Sequence, residues 1–442
     1  MLPYTRTVCL HLLLLGTGLC SCNRPAPPRE PAAATATGSP AAPSEPVPLH
    51  APMTRSELPT TDGQIAMSNL VSSLHTAQGL VKVRGNDPSS MASVVKLLCA
   101  VGHYRGTLAD YDQAAQLVEQ MFKLAPQSPH SFLARAKIRS IFHEFDLALA
   151  DLAQAEKLDP ETAQLAYDGR AGIFTALGKS DEALAMYRQI NARRPDTSTM
   201  GLLAGLLADR GELAAADDLF MKAQLRFGDV APFPIAWLYF QHGLMWEQAG
   251  NLPRARELYA AAVDRLPSYA PAIAHLAAAE AARAQRDRAI ALLRPLVSES
   301  DDPEYKGQLA GLLKEAGDLQ GADALRTQAR SQYESLLAKH PRAFASHAAR
   351  FYLGAGADPQ AALAWAEKNL AALLTNDSLA LAIEAATAAG ASARACVLAD
   401  QLTKRQYVSA RLHVITSRAF TACGQRERAA AEVATAAKQS AR

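Results

Sequence analysis

The sequence predicts an all-α fold: an α-solenoid of about ten helix-turn-helix repeats wound into a right-handed superhelix. The first observation is a period. Alanines recur at intervals of 33 to 39 residues, at Ala114, Ala148, Ala183, Ala216, Ala255, Ala289, Ala322, Ala361, Ala395 and Ala429. A fixed period near 34 residues is typical of stacked helical hairpins. The second observation is a small residue twelve positions before six of these alanines, at Ala136, Ala171, Ala204, Gly243, Ala277 and Ala310.

Packing explains why the small residues recur in pairs. Two antiparallel helices approach closely only where small side chains occupy the point at which they cross.

The third observation concerns helix ends. Glycines that can adopt a positive φ lie five residues before an alanine of the period, at Gly178, Gly211, Gly250, Gly317, Gly356, Gly390 and Gly424. Prolines that cannot continue a helix lie twelve residues after, at Pro126, Pro160, Pro195 and Pro267.

Some repeats depart from this pattern. Gly228 and Asp301 stand where two of the closing prolines are expected. Glu334 stands at a third such position, which predicts a helix that runs on to Lys339. The last three repeats are degenerate, so their boundaries are predicted only to within a few residues.

The stretch Trp237 to Pro267 carries the most complete set of signals. It contains the small Gly243, the turn Gly250, the anchor Ala255 and the closing Pro267. With these residues the chain resembles a tetratricopeptide repeat (TPR) protein over about residues 88–440. The resemblance implies a concave groove that binds a protein or peptide partner, and no chemistry of its own.

Composition sets further limits. A chain of 442 residues is too long for one compact core, and a stacked array avoids that limit because each repeat needs only its neighbours. The net charge is +2, so no nucleic-acid partner is expected. Residues 62–440 are predicted to form the solenoid.

Residues 1–22 are typical of a secretory signal peptide, with Arg6 followed by a short apolar run. The run ends in Leu19-Cys20-Ser21-Cys22, which resembles the lipidation motif of bacterial lipoproteins and predicts a lipid on Cys22. Two alternatives stay open: lipidation of Cys20, and an ordinary signal peptide with incidental cysteines.

The segment that follows the motif is predicted to be a disordered linker. Residues 23–61 hold ten of the 25 prolines and almost no bulky apolar side chains. Asn23 follows the predicted lipidated cysteine, and resemblance to other bacterial lipoproteins then implies an outer-membrane location facing the periplasm or the cell surface.

Three cysteines remain in the predicted solenoid. Cys99, Cys396 and Cys423 each lie in an apolar helical stretch, which favours small buried hydrophobes. A disulfide between Cys396 and Cys423, in adjacent repeats, is the alternative in an oxidising periplasm.

No motif with a chemical mechanism occurs in the predicted solenoid. The phosphate-binding, zinc-protease, nucleophile-elbow and CxxC patterns are missing from the sequence, so no enzyme activity, metal or cofactor is expected. Ser93 and Lys96 match SxxK only by chance inside a predicted helix. His143-Glu144 and the acidic stretch Glu299–Asp302 are predicted to be solvated turns.

The candidate binding site is an apolar stripe. Trp237, Phe240 and Leu244 occupy the positions that, by the resemblance, line the groove, and exposed aromatic clusters are typical hot spots. The competing interpretation places them in the core. The predicted function is therefore a lipid-anchored scaffold of the bacterial envelope. The alternative is a soluble secreted module, or a subunit capping an unrecognised ligand or enzymatic site.

Overall fold

The computed structural model describes residues 51–84, 87–405 and 409–440. The predicted signal peptide, Cys22 and the linker up to residue 50 lie outside the described residues. Within these ranges all regular structure is helical: 21 α-helices and one short 3-10 turn, Pro160–Thr162. The predicted all-α class is therefore confirmed.

A single helix, α1 (Gly63–Val83), precedes ten antiparallel helix pairs. The first helices of pairs 1 to 10 are α2 (Pro88–Arg105), α4 (Pro129–Ile141), α6 (Ala163–Ala176), α8 (Thr197–Asp209), α10 (Phe233–Gln248), α12 (Ala270–Ala282), α14 (Pro303–Ala316), α16 (Pro341–Leu353), α18 (Asn376–Ala388) and α20 (Ala410–Ala422). The second helices are α3 (Leu108–Leu124), α5 (Phe145–Leu158), α7 (Ser180–Arg193), α9 (Leu213–Leu225), α11 (Leu252–Arg265), α13 (Arg286–Glu299), α15 (Leu319–Lys339), α17 (Pro359–Ala372), α19 (Ser392–Thr403) and α21 (Arg426–Ser440). The array is an α-solenoid of ten TPR-type repeats.

The period alanines hold the pairs together. All ten lie in second helices, and the small residues twelve positions earlier lie in first helices. Nine of the ten alanines are buried. The exception is Ala361, which is partly exposed beside the fully buried Ala362, so the helix of this degenerate repeat is rotated by about one residue.

Six of the seven predicted turn glycines have a positive φ, between 70° and 89°. Gly356 is the exception, because the left-handed residue of its turn is the next one, Ala357, at φ 49°. Two other turns place His143 (φ 58°) and Ala284 (φ 61°) at the equivalent position. Side chains there cost conformational energy, which surrounding contacts must offset.

A matched pair of substitutions tests the crossing point of pair 5. A Cβ on Gly243 would lie 2.5 Å from Cε1 of the buried Tyr259, whereas a Cβ on Gly311 in α14 meets nothing within 4 Å. We expect Gly243→Ala to lower the free energy of unfolding by about 1–3 kcal/mol through overpacking. Gly311→Ala should raise it by about 0.5–1 kcal/mol, because alanine is the better helix former. Urea denaturation measures both, and equal effects would contradict the packing.

Curvature follows from which helices touch. First helices of successive pairs pack on one another, as α8 does on α10 and α18 on α20, in addition to packing on their own partners. Second helices of successive pairs do not form comparable interfaces within the described residues. The first helices therefore line the concave side of the solenoid.

The winding is tight enough for distant repeats to touch. The carboxylate of Asp301, between pairs 6 and 7, accepts hydrogen bonds from the amides of Leu108 and Ala109 at the start of α3, at 2.5 and 3.0 Å. The neighbouring Ser300 hydroxyl donates to the carbonyl of Gly106. Asp301 thus caps a helix that lies more than 190 residues away in sequence.

A second contact between distant repeats joins residues that are separated by a similar number of helix pairs. The ring of Phe142 stacks on His340 with centroids 3.7 Å apart, and His143 Nδ1 lies 3.2 Å from the carbonyl oxygen of Arg342. Turns within the first pairs therefore rest on turns between later pairs. The prediction of solvated turns is wrong at His143 and at Asp301, because the solenoid closes on itself at both places. Burial lowers the pKa of His143 to about 4.

Residues 51–61, the end of the predicted linker, lie against the solenoid. Arg265, only 2% exposed at the end of α11, donates to the carbonyls of Met53 (3.0 Å), Thr54 (2.8 Å) and Leu58. We call residues 53–62 the strap. The sequence did not predict this contact, because a proline-rich composition gives no sign of a partner for backbone carbonyls.

Cys396 and Cys423 form a disulfide, with their Cα atoms 6.3 Å apart. The favoured prediction of buried, unbonded thiols is wrong for these two residues and correct for Cys99, which is buried. Burial raises the pKa of the Cys99 thiol to about 11, so it stays protonated. The disulfide joins α19 to the end of α20 and links the last two pairs covalently.

Candidate partner-binding groove

The predicted apolar stripe is not exposed. Trp237, Phe240 and Leu244 are 0%, 1% and 5% exposed, so the expectation that they present a surface to a partner is wrong. The indole of Trp237 fills the space above Gly201 of the neighbouring first helix. Phe240 packs against the Tyr269 ring at 5.3 Å. The stripe faces the concave side, and tight winding covers it.

Residues of pair 1 pack against Phe233 and Tyr269, next to the stripe. The ring of Tyr104 at the end of α2 lies 4.8 Å from that of Phe233, and His103 Nε2 lies 3.3 Å from the Tyr269 hydroxyl. Trp246, by contrast, lies between α10 and α9 and is only partly buried. Its Nε1 donates to Asp217 at 3.2 Å.

In pairs 7 to 10 the concave side carries charged side chains, in contrast to the apolar stripe of pair 5. One row of groove positions holds Glu304 on α14, Asp377 on α18 and Arg411 on α20. A second row, seven residues further along each helix, holds Gly311, Arg350, Glu384 and Arg418. We call these two rows the charged groove. From α14 to α20 the sign alternates by helix: acidic, basic, acidic, basic.

Ion pairs bridge neighbouring first helices along this groove. Glu304 Oε2 lies 2.7 Å from His347 Nδ1, which joins α14 to α16. Arg411 Nη2 lies 3.2 Å from Glu384 Oε2, and its Nη1 lies 4.0 Å from Asp377 Oδ1, which joins α18 to α20. The side chains of Glu304, Arg411 and Glu384 are 22%, 19% and 16% exposed, so they are shielded yet reachable.

The groove desolvates its charges. Burial raises the pKa of Glu384 and lowers that of the Arg350 guanidinium. Burial also raises the pKa of Glu304, but the hydrogen bond and charge of His347 have the larger effect and hold that pKa below its ordinary value. Charges in such surroundings interact more strongly than charges in water, so an incoming charge of opposite sign gains more here than on an open surface.

Small residues leave room beside these charges. A Cβ added to Gly311 would meet no atom within 4 Å, so the floor of the groove at α14 is open. The sequence offered a signal for this site. The helix positions used to select Trp237 and Leu244 in pair 5 select Glu304 in pair 7, and Asp377 and Glu384 in pair 9. The register of the charged groove could not be predicted, because the boundaries of the degenerate last repeats follow from the sequence only to within a few residues.

Asp302 beside the groove makes stability depend on pH. Burial, and then the charge of Glu304, raise its pKa to about 7, although its side chain also caps α14 through the Glu304 amide at 2.9 Å. The folded protein therefore holds a proton here that the unfolded chain releases near pH 4, so Asp302 costs stability as pH rises from about 4 to 7. We expect Asp302→Asn to raise the melting temperature at pH 8 and to leave it unchanged at pH 4.

Asp87 supplies the control for this measurement. It caps α2 through the Ser90 amide at 2.9 Å, and that hydrogen bond lowers its pKa. Its carboxylate thus favours the folded state above its unfolded pKa, the opposite sign to Asp302. Asp87→Asn should therefore give no gain at pH 8. Equal gains in both variants would mean that general charge reduction, and not Asp302, sets the pH dependence.

Ten helix pairs, a period near 34 residues and glycine-containing turns define the chain as a TPR-type repeat protein of the α-solenoid class. Solenoids of this type present an extended concave surface. Among the described residues, no helix combines the length and apolar character needed to cross a membrane.

No family model matches the sequence, and no curated protein does. Among solved structures, the chain is similar to the human IFIT1 dimer with PPP-AAAA at 15% identity and a TM-score of 0.43, covering 87% of this chain and 92% of that one. It is also similar to the APC/C hetero-tetramer Cut9-Hcn1 at 11% identity and a TM-score of 0.38, covering 84% and 94%. These values are too low to transfer any function.

Proposed function

We propose that the protein is a lipid-anchored, non-catalytic scaffold of the bacterial envelope, and that its charged groove holds a segment of a protein partner. The observation that carries the proposal is the pair of charged rows on the concave side of α14, α16, α18 and α20. They are desolvated, partly exposed and next to an open floor at Gly311. Partly buried charges with an accessible face are typical of recognition sites.

A protein segment fits this groove better than a nucleic acid does. Glu304, Asp377 and Glu384 balance the three arginines of the groove, so it has no net positive charge to hold a phosphate backbone. The nucleotides named in the IFIT1 structures belong to those proteins. Glu247 lies 2.9 Å from His275 and also accepts a hydrogen bond from the Tyr259 hydroxyl, and these contacts join α10 to α11 and α12.

Two features support the envelope location. The motif Leu19 to Cys22 is the site of the proposed lipid, and Asn23 supports outer-membrane delivery. The disulfide between Cys396 and Cys423 fits an oxidising compartment such as the periplasm.

Site-specific photo-crosslinking tests the groove. A photoreactive amino acid replaces Val414, which is exposed on α20 between Arg411 and Arg418, or Gln328, which is exposed on the second helix α15. We expect a discrete protein adduct in cells from position 414 and none from position 328. Its identity is confirmed with the purified partner. Adducts of equal yield from both positions, or none from 414, would refute binding in the groove.

The anchor has its own prediction. Cys22→Ala should move the protein from the membrane to the soluble fraction or stop its maturation, because the substituted side chain cannot accept a lipid. Fractionation and intact-mass measurement check this, with Cys20→Ala as the matched control that keeps the anchor. A mature wild-type chain without lipid would exclude the lipoprotein proposal while leaving the groove untouched.

A further inference from the structure

We infer, building on the proposed function, that the charged groove recognises an extended peptide in which charges of alternating sign recur at every third residue. The inference comes from the order of charges across the four first helices. Glu304 stands on α14, Arg350 on α16, Asp377 and Glu384 on α18, and Arg411 with Arg418 on α20. No other part of the described chain presents such an order on its concave side at groove positions.

The spacing of the helices sets the spacing of the ligand. Neighbouring packed helices lie about 8–10 Å apart. An extended chain rises about 3.3 Å per residue, so three residues cover about 10 Å. A peptide that crosses the four helices therefore brings every third side chain opposite a new helix.

The signs set the sequence of the ligand. A basic residue faces Glu304, and an acidic one faces Arg350. A second basic residue faces the Asp377 and Glu384 pair, and a second acidic one faces Arg411 and Arg418. A peptide that runs in the opposite direction can present the same alternation, so charge does not fix the direction in which the peptide binds. A peptide whose like charges are grouped together does not match the order of charges in the groove.

The existing ion pairs leave hydrogen-bonding sites on the groove side chains available for contacts with the peptide. Each carboxylate has two oxygens with several acceptor sites, and the Glu304 and Glu384 pairs each use Oε2. Arg411 reaches Glu384 through one terminal nitrogen and Asp377 at the longer distance of 4.0 Å through the other. A ligand carboxylate at α20 can therefore add to the contacts that the terminal nitrogens of Arg411 make.

The experiment measures binding of fluorescent twelve-residue peptides to the full-length protein in detergent by anisotropy. One peptide carries Lys, Glu, Lys and Glu at every third position with serine and alanine between them. The other carries Lys, Lys, Glu and Glu at the same positions and has the same composition and net charge. We expect the alternating peptide to bind at least tenfold more tightly. An oligoadenylate of similar length should bind more weakly than either.

A charge swap then inverts the preference. The double substitution Arg350→Glu with Glu384→Arg keeps the net charge. It changes the second row to acidic on α16, basic on α18 and basic on α20. The peptide with Lys, Lys, Glu and Glu should then become the tighter ligand. Circular dichroism verifies folding. If the swap unfolds, Arg418→Glu at an exposed position replaces it and should weaken the alternating peptide at least fivefold.

The outcomes separate the two proposals. Equal affinity for both peptides, no binding of either, or tighter binding of the oligoadenylate overturns the alternating-charge inference. A partner adduct from position 414 would still support the groove as the binding site in those cases. Tight binding of the alternating peptide that the swap or Arg418→Glu leaves unchanged also overturns the inference, because the peptide then binds elsewhere.

Discussion

Trp237→Ala should lower the free energy of unfolding by about 3–5 kcal/mol, the cost of a large cavity in a core. The side chain is completely buried and lies against Gly201 of α8, whose backbone cannot move in to fill the space. The indole Nε1 has no hydrogen-bond partner, so the loss comes from packing alone. Urea denaturation followed by circular dichroism measures it.

Two further variants sharpen this test. Trp237→Phe should cost less than half as much, because it keeps most of the ring and removes a buried unpaired N–H. Trp246→Ala should also cost less than Trp237→Ala, since Trp246 is partly exposed. If Trp237→Ala left stability unchanged, the closed conformation of the solenoid would be wrong, and the original prediction of an exposed aromatic stripe would stand.

The repeats could be predicted because their causes are local. Gly243 and Ala255 fix a helix crossing, Gly250 fixes a turn, and Pro267 ends a helix, all within one pair. Even the long helix α15, which ends at Lys339, follows from Glu334 in place of a proline. Such signals need no knowledge of distant residues, and they fail only where a repeat degenerates, as at Ala361 and Gly356.

The groove could not be predicted in the same way, because curvature adds up over many pairs. A small rotation at each interface decides whether the concave side is open or closed. At pair 5 the winding brings Tyr104 over Phe233 and closes it, whereas at pairs 7 to 10 the groove stays accessible around Gly311. The identical helix positions are therefore core in one place and surface in the other.

The same closure changes how the array unfolds. Simple solenoids unfold repeat by repeat, because only neighbours touch. Here Asp301 caps α3, and Phe142 stacks on His340, so pairs 1 and 2 are tied to pairs 6 to 8. The strap adds a further tie, from the N-terminal segment to α11. These contacts couple distant repeats into one cooperative unit.

Arg265→Met should release the strap and lower the free energy of unfolding by about 3 kcal/mol. The buried guanidinium donates to the carbonyls of Met53, Thr54 and Leu58, and a hydrogen bond from a charged donor contributes about 1.5–3 kcal/mol. The loss is smaller than the sum of three such bonds, because a released strap recovers hydrogen bonds to water.

Trypsin cleavage after Arg55 reports the release directly. In the folded protein Arg55 lies on the strap and pairs with Asp264, Nε to Oδ2, at 2.9 Å, which protects the bond. Arg226→Met is the matched control, since Arg226 also ends a second helix but is exposed. We expect cleavage after Arg55 to be at least tenfold faster in the Arg265 variant and unchanged in the control. Slow cleavage in both variants would mean that Arg55 and Asp264, and not the buried guanidinium, hold the strap in place.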